Sequence, residues 1–174
     1  MSIERLQLGT DLQQQAYSAI QKLNVMNDFK EYAPTLCGTF PIDIYTASSD
    51  LDIIMEVHDH QLFYQKLTSF YKHMESFLIK QKEINGSYVT KVNFQFQNFA
   101  FELFGQAIPV KKQRAYEHML VEQYVLTTNP AVKEQILSLK AKGIKTEPAF
   151  AQILGLKGDP YISLLEFGQQ KGII

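Results

Sequence analysis

Apolar positions recur at helical spacing near the start of the chain. Leu12, Ala16, Ile20 and Leu23 form one stripe, which predicts a helix that buries a single face. Thr10 or Asp11 can cap it by accepting orphan backbone N–H bonds. The helix should fade near Asn24, with a short helical turn continuing to Lys30. The period then changes. Thr35-Leu36-Cys37 reads as a short buried strand ending at Gly38, and a loop runs from Thr39 to Ser49. From Asp50 to Val57 the pattern alternates, with Leu51, Ile53, Met55 and Val57 on one face and Asp50, Asp52 and Glu56 on the other. Asp59 or His60 opens a helix whose core side carries Leu62, Phe63, Leu67, Phe70, Tyr71 and Met74. Two strands flank Asn85-Gly86, a dipeptide that accepts the positive φ angles of a tight hairpin. In the second strand Tyr88, Thr90, Val92, Phe94 and Phe96 alternate with Val89, Lys91, Asn93 and Gln95. Gln97-Asn98 turns the chain into Phe99 to Phe104, where Phe101 and Leu103 point one way and Glu102 the other.

The remainder is helical. Pro109 breaks the chain, and a helix from about Lys111 to Leu126 is expected. Pro130 suits the first turn of the next helix, which Gly143 stops. Two short helices follow, near Pro148 to Leu154 and Pro160 to Phe167. The fold class is α+β: a small mixed β-sheet with helices over residues 1–108, ending in three consecutive antiparallel strands, and a C-terminal helical bundle over 109–174 packed on that core.

Composition narrows the picture. At 174 residues the chain is long enough to bury a real core without metal or disulfide staples. Seventeen basic against eighteen acidic residues leave a net charge of -1, so no overall field draws nucleic acid or anionic lipid. The single cysteine, Cys37, cannot close an intramolecular disulfide, and a reducing cytoplasm is the expected compartment. No apolar run exceeds three residues, and the start lacks the apolar stretch of a signal peptide, so no membrane association is expected.

The segment that carries chemistry is Leu36-Cys37-Gly38-Thr39, then ten residues, then Asp50-Leu51-Asp52-Ile53. Residues i and i+2 of a strand share a face, so Asp50 and Asp52 crowd two carboxylates at the strand's start. Divalent cations relieve that crowding, and Mg²⁺ takes carboxylate together with phosphate oxygens. Gly38 lets backbone approach a phosphate, and the Thr39 hydroxyl adds a donor. Glu102, on the polar face of a later strand, is placed to complete a three-carboxylate cage.

Gly-Ser/Thr, about ten residues, Asp-x-Asp on a strand and a later acidic strand residue resemble the DNA polymerase beta-like nucleotidyltransferase superfamily. The resemblance spans about Leu36 to Phe104. It implies that Asp50, Asp52 and Glu102 bind the metals and carry catalysis, and that Gly38 and Thr39 hold nucleotide phosphates. Over most of the chain, the wording Gly38-Thr39-Phe40-Pro41-Ile42, Ser49-Asp50-Leu51-Asp52-Ile53, Phe101-Glu102-Leu103-Phe104-Gly105 and Pro109-Val110 through Gln113, Tyr116 and His118-Met119 is similar to a family of uncharacterised bacterial nucleotidyltransferase-like proteins, a domain of unknown function. The endings Glu147-Pro148-Ala149-Phe150 and Gly158-Asp159-Pro160-Tyr161 fit the same family. The fold these resemblances imply is a small nucleotidyltransferase-like sheet over 1–108, with the helical part forming one wall of its cleft. The implied activity is transfer of a nucleoside monophosphate from an NTP to a hydroxyl acceptor of small-molecule size, with Mg²⁺ or Mn²⁺. The alternative is a noncatalytic nucleotide- or metal-binding module, or a protein-interaction module, on the same fold; it draws support from the loop Phe40 to Ser49, which lacks the arginines that many small active members carry there.

The expected substrate-binding set is Gly38, Thr39, Ser49, Lys111, Lys112, Gln113 and His118. Several candidates have a plainer alternative. Lys111 and Lys112, with Arg114, also suit a solvated helix start; His118, Gln113 and Tyr116 also suit packing within the helical part; Glu102 also suits an exposed strand face. His58 and His60, without matching ligands elsewhere, read as a helix-entry turn, and Cys37 as a buried inert thiol. The phenylalanines from Phe94 to Phe104 alternate as a sheet interior does, so they read as core rather than as a stacking platform for single-stranded nucleic acid. The expected partners are therefore an NTP and a hydroxyl acceptor, with no clear nucleic acid and with room for a protein partner.

Overall fold

The structure is a computed structural model that describes residues 3–84 and 86–174. It divides into two compact units, one holding residues up to Cys37 together with Asp50–Gln113, the other Gly38–Ser49 together with Arg114–Ile174.

The first unit is built on a five-stranded mixed sheet: β1 (Thr35–Cys37), β2 (Leu51–Glu56), β3 (Glu75–Ile84), β4 (Ser87–Phe96) and β5 (Phe99–Gln106), in the order β1-β2-β5-β4-β3. β2 and β5 run parallel; every other neighbouring pair is antiparallel. The alternation sets the two faces. Leu51, Ile53 and Met55 pair with Phe101, Leu103 and Gly105, and these with Phe94, Val92 and Thr90, so one face presents three buried rows. Helix α3 (His60–Tyr71) supplies buried Phe63, Leu67 and Tyr71. Tyr71 stacks on Phe94 at 4.7 Å between ring centroids, and Phe94 on Phe101 at 5.4 Å. Phe29 joins this cluster, stacked on Tyr71 at 5.8 Å. Such aromatic pairs add to the stabilisation from burial alone.

Helix α1 (Asp11–Leu23) is opened by a reciprocal cap between Thr10 and Gln13 and closed by Asn24 in the left-handed region. The short α2 (Val25–Asp28) follows. The β4–β5 hairpin turns on Gln97 and Asn98, both at positive φ, as a tight two-residue turn requires. Asn85 of the expected β3–β4 turn lies outside the described residues.

Several apolar positions differ from expectation. Leu12, Leu62 and Phe70 are exposed rather than buried, because the apolar stripes on α1 and α3 are wider than the surfaces that cover them. The helix expected from Lys111 begins at Arg114. Pro109 leads into a 3₁₀ turn (Val110–Lys112), and Gln113 is extended, with φ −78° and ψ 139°.

In the second unit are α4 (Arg114–Thr128), α5 (Val132–Ala141), α6 (Thr146–Leu154) and α7 (Pro160–Gln170). Val121, Ile136, Ala149, Phe150 and Leu164 are fully buried there. Pro160 starts α7, and Asp159 caps it by accepting from the Tyr161 and Ile162 N–H groups. Residues 38–49 form a tied loop: Phe40 stacks on Tyr45 at 4.6 Å, and Asp43 pairs with Lys133 of α5.

Candidate metal centre

Strand register builds the centre. Asp52 on β2 and Glu102 on β5 are direct partners in the parallel pairing, on the face opposite the aromatic core. In the antiparallel pairings Cys37 stands opposite Asp52 and Asn93 opposite Glu102, so one row crosses four strands as Cys37, Asp52, Glu102, Asn93. Asp50 lies two residues before Asp52 at the entrance to β2. Asp50, Asp52 and Glu102 each offer a carboxylate oxygen, all within 4.8 Å of one another, and all three side chains are half-buried. Three anions so close repel by between about 1 and 4 kcal/mol per pair, depending on how much water screens them. A hard divalent cation removes that repulsion, and an all-oxygen donor set with solvent access suits Mg²⁺ or Mn²⁺.

Glu102 is held in place by its own sheet. Lys91 Nζ donates to its Oε2 at 2.7 Å and Asn93 Nδ2 donates to the same oxygen at 3.1 Å. Sequence reasoning assigned neither residue a role. The signal was present, since a two-residue turn at Gln97-Asn98 pairs Phe96 with Phe99 and hence Asn93 with Glu102. Cys37 is buried, and burial with the nearby Asp52 charge pushes its thiol up to about 12, so it stays protonated and inert. His58 pairs with Glu56 at 3.0 Å, and His60 opens α3 with its Nδ1 2.9 Å from Thr90 Oγ1. Both fit the helix-entry role.

The expected substrate residues are spread over both units. Gly38 has φ 71°, a left-handed conformation that favours glycine. The Thr39 hydroxyl donates to Ser49 Oγ at 3.2 Å, and Ser49 Oγ accepts from the Thr46 N–H at 2.9 Å, which ties the two ends of the loop together. Lys111 and Lys112 are exposed on the 3₁₀ turn. Gln113 is buried, with its amide donating to the Met55 and Ile108 carbonyls at 2.9 Å each. His118 is buried on α4, in a second group with Glu122 and Glu147.

The mixed α+β fold with its five-stranded mixed sheet is similar to that of solved nucleotidyltransferase structures. "Structure of GLD-2/RNP-8 complex" superposes with a TM-score of 0.54 at 13% identity, covering 97% of this chain and 65% of that one. "Structure of Cid1 in complex with the UTP analog UMPNPP" gives 0.54 at 15% identity, covering 81% and 46%. A Cid1 poly(U) polymerase structure with MgGTP gives 0.51 at 14% identity, covering 73% and 41%. The likeness is one of fold, and the chain spans between two fifths and two thirds of the length of these structures. The chain belongs to the family described as "Domain of unknown function (DUF4269)", whose model matches residues 18–167. No curated protein matches it. Among the described residues, no helix is long and apolar enough to cross a membrane.

Proposed function

We propose that the chain is a metal-dependent nucleotidyltransferase that moves a nucleoside monophosphate from an NTP to a hydroxyl acceptor. The observation that carries this reading is the convergence of Asp50, Asp52 and Glu102 within 4.8 Å on a nucleotidyltransferase fold. These carboxylates would hold Mg²⁺ or Mn²⁺. Bound there, divalent ions supply charge neutralisation on the phosphates and acidify the attacking hydroxyl. The acceptor oxygen bonds to the α-phosphorus as the bond to the bridging α–β oxygen breaks, and pyrophosphate leaves. One carboxylate of the trio accepts the hydroxyl proton. The sequence resemblance further implies that Gly38 and Thr39 hold the nucleotide phosphates, and Ser49, Lys111 and Lys112 are the further substrate contacts proposed from the sequence. A small-molecule hydroxyl is the first acceptor to assay. The fold neighbours titled as poly(U) polymerase and RNA terminal uridylyl transferase make an RNA 3′-hydroxyl the other acceptor to assay. A reducing cytoplasm suits the single buried thiol.

A noncatalytic nucleotide- or metal-binding module is the second reading. It is favoured by the absence of Lys and Arg from residues 40–49 and by the engagement of Glu102 with Lys91. Pyrophosphate release decides between them. Each of the four NTPs is incubated with Mn²⁺ and, in turn, small polyols, nucleosides and short RNA. Release that is lost in Asp52→Asn supports transfer. Metal-dependent triphosphate binding without release for any acceptor supports the module. Triphosphate binding that ignores both the metal and Asp52→Asn overturns the site.

A further inference from the structure

Away from the sheet, the second unit holds another group of ligating side chains. His118 and Glu122 lie four residues apart on α4, one turn above the other on one face. Glu147 comes from the first turn of α6. A ring nitrogen of His118 and one carboxylate oxygen from each glutamate all lie within 4.8 Å of one another. His118 is only 6% exposed and Glu122 only 3%. We propose that His118, Glu122 and Glu147 form a second metal centre, which takes a divalent transition-metal ion of the Zn²⁺ class and ties α4 to α6.

Burial is the first argument. A carboxylate removed from water is paired or bound to metal in most folded proteins. The charged groups that act on Glu122 are Glu147, of like sign, and Lys140 of α5, whose ammonium donates to Thr146 Oγ1 at 2.7 Å. Without a cation, burial and the Glu147 charge drive the Glu122 carboxyl well above the usual range. The imidazole is the second argument. His118 Nδ1 is buried with no hydrogen-bond partner, which is costly for a polar atom and which metal ligation by the ring would offset. Burial holds the ring below its ordinary pKa, and Arg114, one turn earlier on α4, opposes its protonation while Glu147 favours it. The neutral ring is the form that ligates. Tyr161 of α7 packs edge-on against the ring, with centroids 6.2 Å apart, and limits its rotation.

The donor set selects the ion. One imidazole nitrogen with two carboxylate oxygens matches Zn²⁺, Mn²⁺ or Fe²⁺, whereas Mg²⁺ and Ca²⁺ prefer oxygen alone. Three protein donors leave one Zn²⁺ position for water. His118 is then committed within the helical unit, in place of the substrate contact expected from the sequence.

The test uses the full chain carrying Asp52→Asn, which disables the acidic trio on the sheet. Zn²⁺ is titrated calorimetrically, and Co²⁺ binding is followed by visible absorption. The expected result is one equivalent of each ion. Adding Glu122→Gln, His118→Asn or Glu147→Gln should each weaken binding by about 100-fold or more, since even an outer-shell change costs about 10–100-fold. Circular dichroism confirms that each variant is folded; Glu147→Gln, at a half-buried position, keeps the test open if a buried variant unfolds. Absence of saturable Zn²⁺ binding to the Asp52→Asn chain overturns the proposal. So does undiminished binding in any folded one of the three further variants.

Discussion

Lys91 on β4 reaches across to Glu102 on β5, Nζ to Oε2 at 2.7 Å, so the third acid of the trio carries a cation supplied by its own sheet. Asn93 donates to the same oxygen. The pair is two-thirds or more buried at both ends, and it holds Glu102 Oε2 toward β4, the neighbour of β5 opposite the Asp52 strand. Lys91 therefore does two opposing things: it orients Glu102, and it competes with any divalent ion for its charge.

Lys91→Met separates the two effects. Losing one positive charge a few ångströms from the trio should tighten Mn²⁺ binding by about tenfold, the equivalent of about 1.4 kcal/mol and within the range for partly screened charges. Pyrophosphate release should fall at the same time, because Glu102 loses its fixed orientation. Isothermal titration and the release assay read the two separately. Weaker Mn²⁺ binding would show that orientation dominates charge.

Gly105 is needed for packing rather than for backbone conformation. A methyl group there would lie 2.6 Å from Val57 Cγ2 and 2.7 Å from Phe63 Cε1, both in the core. Gly105→Ala should destabilise the first unit by about 1–3 kcal/mol through overpacking. At about 2–4 °C per kcal/mol for a chain of this size, melting should drop by about 2–12 °C. Differential scanning calorimetry checks this.

His60 makes stability fall on the acid side. Burial holds its pKa below the ordinary 6.5, with Nδ1 engaged to Thr90 Oγ1. Asp59 opposes that shift, and His58 adds to it. The unfolded chain therefore binds a proton first as pH falls. Stability from this group is full above pH 6.5 and is lost as pH falls through the depressed folded-state value. His60→Gln, which keeps a polar group near Thr90, should flatten the stability–pH profile below about pH 6.5 in urea titrations. An unchanged slope would mean that His60 titrates normally.

The alternation of β2 and β5 and the Gln97-Asn98 turn made the sheet legible, because period-two burial and a positive-φ turn leave few other arrangements. The acidic trio was legible for the same reason: Asp50 and Asp52 share a face by parity, and Glu102 is out of phase with its buried neighbours Phe101 and Leu103. The start of α4 was not, since the extended Gln113 is held by two backbone carbonyls, one of them 58 residues earlier on β2. The exposure of Leu62 and Phe70 was not either: α3 carries more apolar side chains than one face can bury, and only the tertiary packing selects among them. For the second group of ligands, the His118 and Glu122 spacing was visible on one helix, while Glu147 joins only through the packing of α6.

The central claim is that Asp50, Asp52 and Glu102 share a divalent ion. Crystals of the full chain soaked with Mn²⁺ and a nonhydrolysable nucleoside triphosphate test it most directly, through the manganese anomalous signal. The account predicts a peak with carboxylate oxygens of all three residues about 2.1 Å away, the triphosphate on its open side, and Lys91 drawn off Glu102. A well-bound triphosphate with no manganese among these carboxylates, and the Lys91–Glu102 pair intact, would contradict it.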